Sequence, residues 1–288
     1  KHVRIIDALS DQMMIIDWQQ LMPWLLLGTS IKMLGIGCSM LRWDLLLQGQ
    51  GIYFGKYHIV STFLIGRFLG TFLPSTVGLD SYKLYDAIKF SKRVAEPTTA
   101  TIVEKIMGLM GMFLTFIVSF PFGYTILGSM WFNLFIITVP LIFLVIMLGF
   151  FSVIRPALFS PILSKIKYIK YEKIRVIVLR IEQAMCAYEG KSMLIFKVMA
   201  LSFMVHLFTA IMYYFTARAV GIEQAPFGII VFAYSIQIVA TVFSPFTIAG
   251  EGVREVVQTL LLAKHIGIGG SVLSAALGFW AAESITLI

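Results

Sequence analysis

The sequence predicts an all-α polytopic membrane protein, and three observations carry that prediction. Of its 288 residues 59% are hydrophobic and only 13% charged, about half the charge that keeps a soluble domain wet. Mean hydropathy is +0.89. The apolar residues also run on for the ~20 positions that a helix needs to cross a bilayer, without the alternation of a strand. A soluble enzyme, a disordered chain, a disulfide scaffold and a collagen-like rod are excluded by the same numbers.

Four segments are predicted as spanning helices: 21–47, 99–120, 131–154 and 193–218. A fifth begins near Ser271 and is still apolar at Ile288, which predicts a C-terminal remainder. Two further segments are apolar but interrupted. The first runs over 57–73, breaks at Pro74 and Gly78, and resumes over 80–92. The second runs over 227–243, breaks at Pro245, Gly250 and Gly252, and resumes over 251–264. Each is predicted as a helical hairpin that enters the membrane and leaves on the same side, which requires protein or water around the broken backbone.

The two hairpins superimpose in sequence. Residues 72–83 lie on 243–254 at a constant offset of 171, with Phe72/Phe243, Pro74/Pro245 and Thr76/Thr247 identical. Val77/Ile248, Gly78/Ala249, Asp80/Glu251 and Lys83/Arg254 are conservative matches. The same offset carries the span 21–47 onto 192–218 and the span 99–120 onto the last apolar run. One membrane domain over 1–288 is therefore expected: repeat 1 at about 21–120, a linking span at 131–154, a loop at 155–192 and repeat 2 at about 192–288. A unit of span, hairpin and span begins and ends on one side, so the single linking span turns the second unit over. An inverted repeat of this kind is common among secondary transporters.

Charge sets the orientation. The side holding 48–98 and 155–192 carries many basic residues, whereas the connections 121–130 and 219–226 carry no Lys or Arg and only Glu223. The first side is then cytoplasmic in a cell membrane. Residues 1–20 fall outside, which predicts one more span upstream of Lys1. The net charge of +8 is read as this orientation signal and not as a nucleic-acid footprint. In the loop, Ile174, Ile177, Val178, Ile181 and Met185 recur at helical spacing among charges, as in an amphipathic surface helix. A plain solvated connector fits equally well.

Charges within apolar segments cost several kcal/mol unless paired or hydrated. Asp80 with Lys83, and Glu251 with Arg254 and Glu255, each follow a break and open a half-helix. That terminus offers free N–H groups and the positive end of the helix dipole, a setting suited to phosphate. Lys83 and Arg254 stand one turn further on, and Arg can grip phosphate with two parallel bonds. A lipid head group, anionic or zwitterionic, is the partner that fits. The alternative stays open: Asp80 as a helix cap, and Glu251 with Arg254 as an internal pair. Lys32, Arg67, Glu104, Lys105 and Glu283 are further candidates for a cavity, or for pairing and snorkelling. His206 reads as a satisfied interior histidine, and Arg42-Trp43-Asp44 as an ordinary helix-end anchor.

Catalytic signatures are thin. The chain has no phosphate-binding GxxxxGK[ST] loop, and Gly267-Ile-Gly-Gly270 follows no strand. Cys38 and Cys186 stand apart, and His2, His58, His206 and His265 are scattered, so no disulfide, metal site or cofactor is expected. No base-activated nucleophile accompanies Glu251 and Glu255. These signs weigh against an enzyme and leave catalysis open.

The order Leu41-Arg42-Trp43, Leu73-Pro74 through Gly78-Leu-Asp80-Ser-Tyr-Lys83, Glu104-Lys105, and Pro245 through Gly250-Glu-Gly-Val-Arg254-Glu255 resembles the membrane region of lysylphosphatidylglycerol synthases, the flippase-like domain family. The resemblance covers nearly the whole chain, from about Asp17 onward. It implies a membrane domain that moves a lipid between leaflets, with Asp80 and Glu255 at the family's acidic positions and Arg254 at its basic one. Lys83 and Lys105 stand where Arg is usual, Glu251 where an apolar residue is common, and Glu283 near a usual Arg. No soluble aminoacyl-transfer domain is present in the sequence, so synthase activity does not follow from the resemblance. A flippase-like transporter is the first expectation. A membrane module presenting lipid to a fused or separate transferase, and a structural scaffold, are the alternatives. A homo-oligomer fits any of them.

Overall fold

The computed structural model describes residues 5–72, 77–123, 186–222, 226–242 and 252–287, with isolated positions between 126 and 176. Pro74, Pro245, Gly250 and Glu251 lie outside the described residues, as do most of the linking span and of the loop 155–192. Helix is the only regular structure among the described residues.

A short helix, α1 (Ile5–Ile15), precedes the first long one. Helix α2 (Trp18–Gly49) starts where the Asp17 carboxylate accepts the Gln19 N–H at 2.9 Å, an N-cap that satisfies an otherwise orphaned donor. Pro23 lies near its beginning. The first hairpin is α3 (Lys56–Phe72) and α4 (Val77–Ser91), and α5 (Ala95–Ser119) runs into a 3-10 turn at Phe120–Gly123. Pro97 falls in the first turn of α5, where its missing N–H costs nothing. After the central region come α6 (Ser192–Ala219), the second hairpin of α7 (Phe227–Val242) and α8 (Val253–Ile266), and α9 (Ile268–Leu287). Helix α8 begins after Gly252, whose φ of 82° is open to glycine and strained for other residues. The described positions between 133 and 151 are helical, and Phe143 among them stacks on Phe113 at 5.7 Å.

Three helices are long and apolar enough to cross a membrane among the described residues: Trp18–Gly49, Ala95–Gly123 and Ser192–Ala219. Large apolar side chains stand exposed along α2 and α3, including Leu26, Met33, Leu34, Leu41, Phe68 and Phe72. A protein in water would hide a surface of this extent, whereas hydrocarbon accepts it.

Helices α2 and α6 form the largest helix–helix interface among the described elements, and they run antiparallel. Gly28 meets Phe215 and Met212, Gly35 meets Phe208 and Val205, Arg42 bonds Ser202, and Gly49 meets Leu194. The residue number falls along α6 as it rises along α2. Helix α5 lies against the same pair, and a Cβ on Gly111 would stand 2.5 Å from the Ser202 carbonyl carbon, so the two backbones nearly touch. Small residues at such contacts are the membrane's way of gaining dispersion energy where lipid removes the hydrophobic drive. Around this seam Trp43, Leu46, Leu47, Val103, Met107, Ile195 and Val198 are buried together.

The same order of four helices occurs twice, α2 to α5 and α6 to α9. The last helix of each set crosses to the other set's hairpin. Helix α5 packs on α7, where Phe116 and Phe120 meet Phe232 at 5.6 and 6.4 Å. Helix α9 packs on α3. Within the first hairpin, Gly78 lies so close to Gly70 that a Cβ would stand 2.6 Å from the Gly70 Cα.

Candidate functional site

The first hairpin's cation is buried in a chain of opposite charges. Lys83, one turn into α4, is 1% exposed and donates to Glu104 Oε2 of α5 at 2.6 Å. Arg42 of α2 donates to the other oxygen, Oε1, at 3.0 Å, and its second Nη donates to Ser202 of α6 at 3.1 Å. Asp80 Oδ1 lies 3.7 Å from Lys83, and the other Asp80 oxygen pairs with Lys105. The Lys83 ammonium also stands 4.6 Å above the Trp43 ring and 5.2 Å from that of Phe63, an arrangement that ring quadrupoles favour. Glu104, 4% exposed, thus takes two charge-assisted bonds from two helices. Each charge taken out of water costs several kcal/mol, and such a linkage is stable only while every member is present. Four helices, α2, α4, α5 and α6, are tied together here.

A second group lies around α9, on the helices α2, α3 and α8 that pack against it. Arg67 of α3 uses one nitrogen, Nη2, for both Glu283 Oε1 at 2.7 Å and the Ala282 carbonyl at 2.9 Å. The partners are 14% and 19% exposed, more open than Lys83 with Glu104. Lys32 of α2 donates to the Thr209 hydroxyl of α6 at 2.9 Å and lies within electrostatic reach of Arg67, Glu283 and Arg254. Arg254, in the first turn of α8, is buried with its guanidinium 4.9 Å from the Phe279 ring. Glu255 accepts the Gly252 N–H at 2.7 Å, satisfying a donor at the start of α8. Behind Arg254 a buried polar row runs from Gln258, which donates to Gln237 at 2.6 Å, to Tyr213, whose hydroxyl accepts from Gln237 at 3.1 Å.

Of the residues singled out in the sequence, Asp80, Lys83, Glu104 and Lys105 are thus joined in one cluster. Lys32, Arg67, Arg254 and Glu283 share the other, with Glu255 at its edge. His206 places Nε2 3.2 Å from the Gly108 carbonyl and Nδ1 3.1 Å from the Tyr234 hydroxyl. The carbonyl only accepts, so Nε2 carries the proton and the ring is satisfied within the core. Arg42 is more than a helix-end anchor: it holds Glu104. A charge well inside an apolar helix is the signal that points to it. Gln237 within apolar α7 carries a weaker one. The pair of His58 and Asp86, 2.6 Å apart with Thr62 donating to the same carboxylate oxygen, closes the other end of the first hairpin. Nothing in the spacing of these residues predicts it.

Long apolar helices, apolar side chains exposed along them and interior ion clusters define an all-α membrane protein. The chain belongs to the family described as lysylphosphatidylglycerol synthase TM region, whose model matches residues 12–287. It is accordingly a membrane domain of a family tied by that description to a lipid-modifying synthase. Neither curated proteins nor solved structures give a match.

Proposed function

We propose that this chain carries a phospholipid or lipid-linked head group between leaflets, admitting it between two hairpins, α3–α4 and α7–α8, that enter the membrane and return on the same side. One observation carries the reading. Helices α2 and α6, which correspond at the 171-residue offset, run antiparallel through the centre of a family member tied to lipid. That antiparallel course supports two units in opposite orientation, and the crossing of α5 and α9 to the opposite hairpins supports it further. Opposed units can expose one interior site to either leaflet in turn. With 48–98 and 155–192 on the cytoplasmic side, the first hairpin opens inward and the second outward.

The head-group contacts fall unequally. Lys83 is already matched to Glu104, so it positions α4 rather than meeting the ligand directly. Arg254, at a half-helix start within electrostatic reach of Lys32, supplies the contact to phosphate. The family's description favours a second reading, in which the domain presents lipid to a transferase. Exchange of a head-group-labelled phospholipid between leaflets of proteoliposomes separates them, because presentation requires no exchange. Wild-type protein accelerates exchange, and Arg254→Gln lowers it ~10-fold or more, the effect of losing a hydrogen bond to a charged group. Exchange that is unchanged in a folded Arg254→Gln protein overturns the proposal.

A further inference from the structure

The inner face of α8 changes character along its length. Arg254, Gln258, Leu262 and Ile266 recur every four residues and are all buried, so they form one stripe against the interior. Leu262 and Ile266 share an apolar core with Ile230, Val231 and Tyr234 of α7. Gln258, 1% exposed, is the first polar group after the Arg254 cation. Its Nε2 donates to Gln237 Oε1, and Gln237 Nε2 donates to the Tyr213 hydroxyl. Both amides thus spend an N–H toward Tyr213, and the row ends at Gln258 in a carbonyl oxygen. That Oε1 is buried and has no hydrogen-bond partner among the described residues. A buried acceptor left unpaired is costly, and a carbonyl oxygen is satisfied only by a donor. The first hairpin replaces both amides. At the 171-residue offset Gln258 and Gln237 correspond to Ala87 and Gly66, of which Ala87 is buried in an apolar cluster and Gly66 lies against Leu79.

We propose that Gln258 Oε1 receives the distal hydrogen-bond donor of a phospholipid head group, a hydroxyl or a primary ammonium, while the phosphate lies at Arg254. The inference rests on the lipid reading above and adds to it the class of head group. Spacing supports the pairing. Four residues of α8 rise about 6 Å. In an ethanolamine or glycerol head group an ester oxygen and a short carbon chain separate phosphorus from the terminal donor, a comparable reach. A methyl diester offers no donor beyond its phosphate, and choline carries its charge on a nitrogen without N–H. Neither satisfies Oε1. Gln237 and Tyr213 are positioning residues: they tie the Gln258 amide at its nitrogen, so its oxygen is presented away from Gln237.

The test uses the purified full chain in detergent, titrated with short-chain lipids in two pairs of equal charge and read by native mass spectrometry. Phosphatidylethanolamine is compared with phosphatidylcholine, and phosphatidylglycerol with phosphatidylmethanol. The donor-bearing lipid is the smaller of the first pair and the larger of the second, so a filter by size cannot favour both. Wild-type protein binds phosphatidylethanolamine ~10-fold more tightly than phosphatidylcholine, the scale of a hydrogen bond to a charged group. It binds phosphatidylglycerol ~3-fold more tightly than phosphatidylmethanol, the scale of a neutral one. Gln258→Leu removes both preferences and leaves the affinities for phosphatidylcholine and phosphatidylmethanol unchanged, whereas loss of a merely structural amide shifts all four alike. Gln258→Met takes its place if Gln258→Leu does not fold. Loss of one preference alone assigns the oxygen to that donor, ammonium or hydroxyl. Absence of both preferences in wild type, or retention of both in the folded variant, overturns the proposal. Leaflet exchange measured on the same protein keeps the two ideas apart. Donor preference without exchange refutes transport and leaves this subsite standing, and exchange without donor preference does the reverse.

Discussion

Lys83 and Arg254 correspond at an offset of 171 residues, Lys83 in the second turn of α4 and Arg254 in the first turn of α8, and their surroundings differ. The difference comes from residues far from the motif. Glu104, which holds Lys83, corresponds to Ala275, and Arg42, which holds Glu104, corresponds to Tyr213. One cation is therefore locked into a chain of ion pairs. The other faces the Phe279 ring and lies within electrostatic reach of Tyr213 and Lys32. A repeated motif thus meets two settings, because the residues on the supporting helices differ between the two sets.

The comparison can be broken by removing one carboxylate from each cluster. Glu104→Gln leaves Arg42 without its counter-charge and Lys83 with only Asp80 at 3.7 Å, and is expected to cost about 3–5 kcal/mol, read as a large fall in the unfolding midpoint in detergent. Glu283→Gln, at a less buried pair in which Arg67 keeps its bond to the Ala282 carbonyl, is expected to cost less, about 1–2 kcal/mol, by the same measurement. Equal losses would mean that the clusters do not differ in kind. The aromatic junction is probed by Phe232→Ala, which removes the ring against which Phe116 and Phe120 pack. It is expected to cost about 3 kcal/mol and to weaken the α5–α7 contact, read as a lower unfolding midpoint in detergent. The smallest effect concerns the end of the central seam, where buried Tyr188 donates to the Leu46 carbonyl at 2.9 Å. Tyr188→Phe is expected to cost about 1 kcal/mol at neutral pH.

Burial pushes the Tyr188 phenol up from its ordinary value. The native state therefore keeps the proton at a pH where the unfolded chain loses it. Its contribution is fully present below about pH 10 and declines as pH rises above that. Alkaline unfolding followed by circular dichroism should accordingly be less steep in Tyr188→Phe than in wild type.

Much of the helical layout was legible before the structure. The interrupted runs at 57–92 and 227–264 appear as α3 with α4 and α7 with α8, because Pro, Gly and loss of apolar periodicity act locally. The charged residues of both clusters were legible as exceptions in apolar segments. Their partners were not. Arg42 read as a helix end, since nothing nearby in sequence announces that Glu104 and Ser202 will meet it. The antiparallel seam of Gly28, Gly35 and Gly111 was equally hidden, for a glycine in an apolar helix reads the same whether it faces lipid or another backbone. The bond from Arg67 to Glu283 joins residues more than 200 positions apart, and no local pattern reaches that far.

The sequence by itself determined that this chain is helical and of the membrane, where its helices break, and which few charges need an explanation. Those properties sum over neighbouring residues, as transfer energy and helix periodicity do. Only the tertiary structure decided which of those charges meet. Ion pairing depends on distances of a few ångströms between side chains that separate helices bring together. The crossing of α9 onto α3, and not the composition of either helix, makes Glu283 the partner of Arg67.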